Sequence, residues 1–166
     1  THTEKEMIYK GKQIKNVTLN MLYDMFKSVG NNNVFIQTTT IGDIFEIDLT
    51  ETTYPLMHVG TQTASYTKNV LTYNFQVIVM DLVSKDESNE EDVLSDMLQV
   101  IGDVISQLKN TDFNTDYDDD FRHAVRIQDT IACEPFTERF DNEVSGWTGN
   151  ITINVDFNAS ACNELQ

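Results

Sequence analysis

The sequence is poor in positive charge and in cysteine, and it has no long apolar run. Its 166 residues hold 11 Lys and Arg against 27 Asp and Glu, a formal net charge of −16. A body of that sign repels phosphates and anionic lipid, which argues against base reading, RNA binding and membrane docking. The longest apolar runs last only a few residues, too short to cross a bilayer. Thr1-His2-Thr3-Glu4-Lys5 carries no apolar h-region, so no secretory signal is expected. Cys133 and Cys162 stand in unlike contexts, one strand-like and one in the tail, without metal-ligand spacing, and both read as free thiols. The sequons at Asn16, Asn150 and Asn158 arise easily by chance in a chain rich in Asn and Thr.

Catalytic motifs are missing too. No G-x-G-x-x-G, Walker A, G-x-S-x-G, H-E-x-x-H or C-x-x-C occurs. His2, His58 and His123 lack a metal-ligand partner at i+3 or i+4. A nucleophilic pair of His123 and Cys133 has no more support than any other His and Cys. Carboxylates are too abundant for one pair to mark acid–base chemistry. No enzymatic activity and no cofactor are therefore expected.

One acidic run resembles a metal loop. Asp112, Asn114 and Asp116 match positions 1, 3 and 5 of an EF-hand, and Asp118 adds a further carboxylate. Tyr117 then stands where Gly is required and His123 where a bidentate Glu closes the site. The residues that follow read as a strand, whereas an EF-hand needs a helix. A solvated acidic loop is the expectation; a metal-binding hydrolase using Asp112–Asp120 is an alternative.

What is present is a patterned single domain of about 17–158, preceded by an extended arm, 1–16, and followed by a tail, 159–166. A helix is expected from about Thr18 to Val29, with Thr18 as N-cap, Leu22, Met25, Phe26 and Val29 as its apolar stripe, and Gly30 as its stop. Asn31-Asn32-Asn33 should turn the chain. A hairpin is expected from Val34–Thr40 and Phe45–Leu49, then an extended piece from Tyr54-Pro55 and a Thr/Ser/Gln loop over Thr61–Lys68. In the next strand Leu71, Tyr73, Phe75, Val77 and Val79 share one face while Ile78 and Met80 make part of the other apolar, which marks a central strand. Ser88 and Glu91 form a capping box for a second helix reaching about Lys109. Its apolar residues span an arc of roughly 160°, wide enough to pack on a sheet and touch a neighbour at one margin. Val125, Ile127, Ile131 and Cys133 alternate up to Pro135, a turn is expected near Ser145-Gly146, and a last strand shows one apolar face from Trp147 to Phe157. This order, without β-α-β alternation, gives an α+β fold: an antiparallel or mixed sheet with two helices packed on one face.

Charge is unevenly divided. Residues 1–40 hold five lysines against three acids, a balance of +2, which leaves −18 for the remainder. A basic arm can reach a neighbour's acidic body. The candidate interface residues are therefore Lys5, Tyr9, Lys10, Lys12 and Lys15 in the arm and Leu94, Leu98 and Ile105 on the second helix.

The order of a helix, a hairpin, a Tyr-Pro segment, a long strand, a long helix and two closing strands resembles tail-terminator, tail-completion and neck (head-to-tail connector) proteins of tailed bacteriophages. The stretch Glu138-Arg139-Phe140-Asp141-Asn142-Glu143-Val144-Ser145-Gly146-Trp147-Thr148-Gly149 is similar to neck or tail proteins of phages of Bacteroidetes, in the style of the crAss-like group. The resemblance covers about 17–158 and brings no catalytic residue. It implies a structural virion protein assembled in the bacterial host cytoplasm: a hexameric or dodecameric homo-oligomeric ring that contacts other neck or tail proteins, with DNA passing through its lumen unbound. A monomeric acidic α+β binding module, free of membrane, is the competing expectation.

Overall fold

The computed structural model describes residues 7–9, 12–14, 17–49, 51–110, 125–136 and 144–157. Along them run β1 (Met7–Tyr9), β2 (Lys12–Ile14), α1 (Leu19–Asn32), β3 (Thr38–Ile41), a 3-10 turn (Ile44–Glu46), β4 (Leu56–Thr67), β5 (Val70–Leu82), α2 (Glu90–Asn110), β6 (Val125–Ile127), β7 (Cys133–Phe136) and β8 (Val144–Asp156). Of the expected arm only residues 7–9 and 12–14 are described, and these two short strands pair with each other antiparallel, Met7 opposite Ile14. They form a sheet of their own.

The main sheet is mixed, with six strands in the order β3-β4-β5-β8-β6, and β7 also pairs with β8. Only β3 and β4 run parallel. β5 lies between β4 and β8 and is antiparallel to both, which makes it the central strand that its two-faced pattern implies. Both helices cover one face. There Leu22, Met25, Phe26 and Val29 of α1 and Val93, Met97, Val100, Ile101, Val104 and Leu108 of α2 meet Phe75, Val77, Ile151 and Ile153. Phe26 stands edge-on to Phe75 with ring centres 5.0 Å apart. Burying each such side chain contributes about 2–3 kcal/mol, enough to make this the dominant core. The α+β architecture with two helices on one face is thus the observed one.

Helix α1 begins where its cap demands. Thr18 Oγ1 accepts the Met21 N–H at 3.2 Å, satisfying a donor that no helical carbonyl reaches. Gly30, expected to stop the helix, instead lies buried inside it, and the turn is made at Asn33, whose N–H donates to Gly30 O. The reason is contact: a Cβ at Gly30 would collide with the Thr39 side chain of β3. The glycine serves a close helix–strand approach, which outweighs its role as a breaker.

Five further expectations are corrected. The hairpin of Val34–Thr40 with Phe45–Leu49 does not form. Gly42, at φ +117°, turns the chain away; Ile44, Ile47 and Leu49 then pack with Leu56, Met80 and Val144 in a second, smaller core on the opposite face. The Thr61–Lys68 loop is strand as far as Thr67, because pairing with β5 continues to Thr67↔Val70 across a bulge at Thr61/Thr63. Asn89, not Ser88, supplies the first helical carbonyl of α2, accepting from Val93 N at 3.0 Å. Ser145 and Gly146 lie in β8, where Gly146 faces Met80. A Cβ there would strike the Val79 carbonyl, so only glycine permits that pairing. Finally, the strand expected through Val125–Cys133 is split into β6 and β7, which lie one after the other along the same side of β8. Pro135, with no N–H to offer, is tolerated there at the sheet edge.

Candidate interaction surfaces

On α2 the three residues singled out from sequence share one line. At 3.6 residues per turn, Leu94, Leu98 and Ile105 project within about 40° of one another. Leu94 and Ile105 are half-buried, whereas Leu98 is 41 % exposed. Gly102 lies on the same margin, and a Cβ placed on it would meet nothing within 4 Å. A glycine costs a helix interior about 1 kcal/mol, and among the described residues no contact at this position offsets that. The base of this ridge is held by Trp147, whose Nε1 donates to the Leu94 carbonyl at 2.7 Å. Of the arm candidates, Tyr9 lies in β1 and Lys12 in β2, directly opposite each other. Lys5, Lys10 and Lys15 lie outside the described residues, as do the metal candidates Asp112, Asn114, Asp116 and Asp118.

A second surface escaped the sequence reading. The sheet face away from the helices is covered at one end by the Ile44–Tyr54 loop and is open at the other. The open part is built of uncharged polar residues in rows. Thr152 Oγ1 donates to Asn74 Oδ1 at 2.7 Å, and Asn74 Nδ2 donates to Thr63 Oγ1 at 2.7 Å, linking three strands. Thr72 Oγ1 donates to Asn154 Oδ1 at 2.6 Å in the next row. Such rows rigidify the face without charging it. The alternation of Thr, Asn and Gln along β5 and β8 was visible; the missing partner was β4, hidden by its resemblance to a polar loop.

Beside this face lies a free edge. β3 pairs with β4 only from Leu56 to Val59. From Thr61 to Thr67 β4 is exposed on both faces, and among the described residues no strand pairs with its outer side. A third exposed feature is the corner after α1, where Val34 and Phe35 project beside Asp103, Ser106 and Gln107 of α2.

The titratable groups serve the fold. His58 is buried; its Nε2 donates to Gly42 O and its Nδ1 accepts from Thr40 Oγ1, both at 2.7 Å. The ring therefore binds as the neutral tautomer, and burial holds its pKa below the ordinary value against the opposing pull of Gly42 O and Asp43. Burial, aided by the charge of Asp96, pushes Asp81 up, although the Leu82 N–H opposes this. Burial likewise raises the Cys133 thiol, the reverse of what a nucleophile needs. Among the described residues no group of three His, Cys, Asp or Glu side chains is placed to hold a metal ion. No described helix is long and apolar enough to cross a membrane. Compared with family models and with curated proteins, the chain matches none.

Proposed function

We propose that this protein is a structural, non-enzymatic subunit of a homo-oligomeric ring in the neck or tail of a tailed bacteriophage, joining head to tail and letting DNA pass. The observation that carries the reading is the presence, among the described residues, of two unlike, unpartnered surfaces on one small domain. The Leu94–Leu98–Ile105 ridge of α2 lies over the β5–β8 side of the sheet, and the free edge of β4 borders the other side. A closed ring needs two different patches per subunit, since each copy meets its neighbours head to tail.

Electrostatics supports the same reading. A wall past which DNA slides must avoid phosphate contacts, whose strength comes from Lys and Arg. An acidic body with an open sheet face of Thr, Asn and Gln meets that requirement. Leu98→Lys is the direct test. The site is exposed, so subunit stability should change by less than about 0.5 kcal/mol. Purified wild-type protein should form rings visible by negative-stain electron microscopy at tens of micromolar, and Leu98→Lys should abolish them. A wild-type chain that remains monomeric in solution and joins no particle overturns the proposal.

A further inference from the structure

We infer that the free edge of β4, residues 61–67, is a docking site for the N-terminal β1–β2 hairpin of a second copy of this chain, which adds to the main sheet as further strands. The inference rests on the ring reading and names the contact that would join its subunits.

Three observations converge on this edge. The first is its lack of protection. Exposed edge strands are usually blunted by lysine, proline or inward charge, because their unpaired N–H and C=O groups accept any extended chain. Residues 52–67 contain no Asp, Glu, Lys or Arg, and 56–67 contain no Pro. The Thr61/Thr63 bulge is the single irregularity, and it sits at the start of the free stretch. Eight residues, 60–67, remain beyond the last pairing with β3, a full strand's length.

The second is the hairpin itself. Among the described residues β1 and β2 hydrogen-bond to each other and to no strand of the main sheet. An isolated two-stranded hairpin is marginally stable at best in water. Docking one of its edges on β4 satisfies backbone groups on both sides, the mode by which a peptide strand extends a sheet.

The third is charge. Two bodies of this composition repel each other over most of their surface. Approach is least opposed at an uncharged edge beside an uncharged face. The segment best suited to enter an acidic neighbour's field is the one that is basic, and residues 1–16 hold four lysines against two glutamates.

The test uses the full-length protein. Amide exchange of 61–67 is followed from about 1 to about 100 µM, with sedimentation velocity in parallel. Exchange should slow by about tenfold or more as oligomers form. Ser65→Lys/Thr67→Lys should remain monomeric with an unchanged melting temperature, as should Lys10→Glu/Lys12→Glu/Lys15→Glu. Combining the two sets restores opposite charges and should restore assembly. Oligomers that form while 61–67 exchanges at one rate throughout would overturn the docking site and leave the ring intact. Protection that is independent of concentration would assign the edge to the chain's own hairpin and overturn the second-copy occupant. Absence of any oligomer removes both.

Discussion

Trp147 donates its indole N–H to the main-chain carbonyl of Leu94, so strand β8 is fastened to the first turns of α2 by a bond from the chain's single tryptophan. Because a helical carbonyl has a second lone pair, it can accept this bond without giving up the helix. Trp147→Phe removes the donor and part of the ring volume. The expected cost is about 1–3 kcal/mol, read as a lower urea midpoint with unchanged slope. In the wild type, tryptophan emission should shift to the red in step with loss of helical circular dichroism, since the ring leaves its helix contact only when the core opens.

Gly30 and Thr39 make a second testable pair. Alanine is the better helix former by about 1 kcal/mol, yet Gly30→Ala should destabilise by about 1–3 kcal/mol, because its Cβ meets Thr39. Shrinking Thr39 to Ala in the same chain should recover part of the loss. Thermal melts of the two single variants and the double variant measure that coupling.

Thr39 Oγ1 is also buried without a hydrogen-bond partner among the described residues. An unsatisfied hydroxyl costs about 1–3 kcal/mol, so Thr39→Val, which keeps the shape, should raise the melting temperature. A decrease would show that the hydroxyl has a partner.

Acid should weaken the fold through His58. Its folded pKa lies below 6.5, so below that pH the unfolded chain takes up the proton first. The stability gained from the neutral ring is therefore complete above about pH 6.5 and is lost as pH falls below it. Asp81 acts in the opposite sense. Its folded pKa is raised, so its ionised form opposes folding at neutral pH, and this penalty lifts only as pH falls towards the carboxylate range. Asp81→Asn should raise the urea midpoint at pH 7, and His58→Gln should flatten the profile between about pH 5 and 7.

Local patterns carried most of the helical layer and part of the sheet. The Thr18 cap, the two apolar stripes and the two-faced character of β5 each depend on neighbours a few residues away, and each is readable in the chain. The misreadings involve distant partners. Gly30 looks like a helix stop until Thr39 is placed against it. Thr61–Thr67 looks like a loop because its side chains suit water, and only register with β5 makes it strand. Ile47 and Leu49 suggest a strand until Met80 and Val144 draw them into a separate core. Of the interaction surfaces, the α2 ridge was readable because helical periodicity alone defines it. The β4 edge was not, since an edge is a property of what fails to lie alongside.

The position of β8 has a consequence for how the chain reaches its native state. β8 flanks the central β5 on one side, holds both β6 and β7 on the other, and carries much of the seat of α2. Val70 pairs with Asp156, 86 residues further along, and the whole β5–β8 ladder spans comparably remote partners. Until residues 144–156 have left the ribosome, β5 keeps one bare flank and α2 lies over an incomplete floor. Such a topology has high contact order, and closing its long loops precedes any gain from pairing. Folding should therefore be slow and all-or-none, completed only once residues 144–156 have emerged, with the nascent chain depending on its strong negative charge to stay apart from its neighbours.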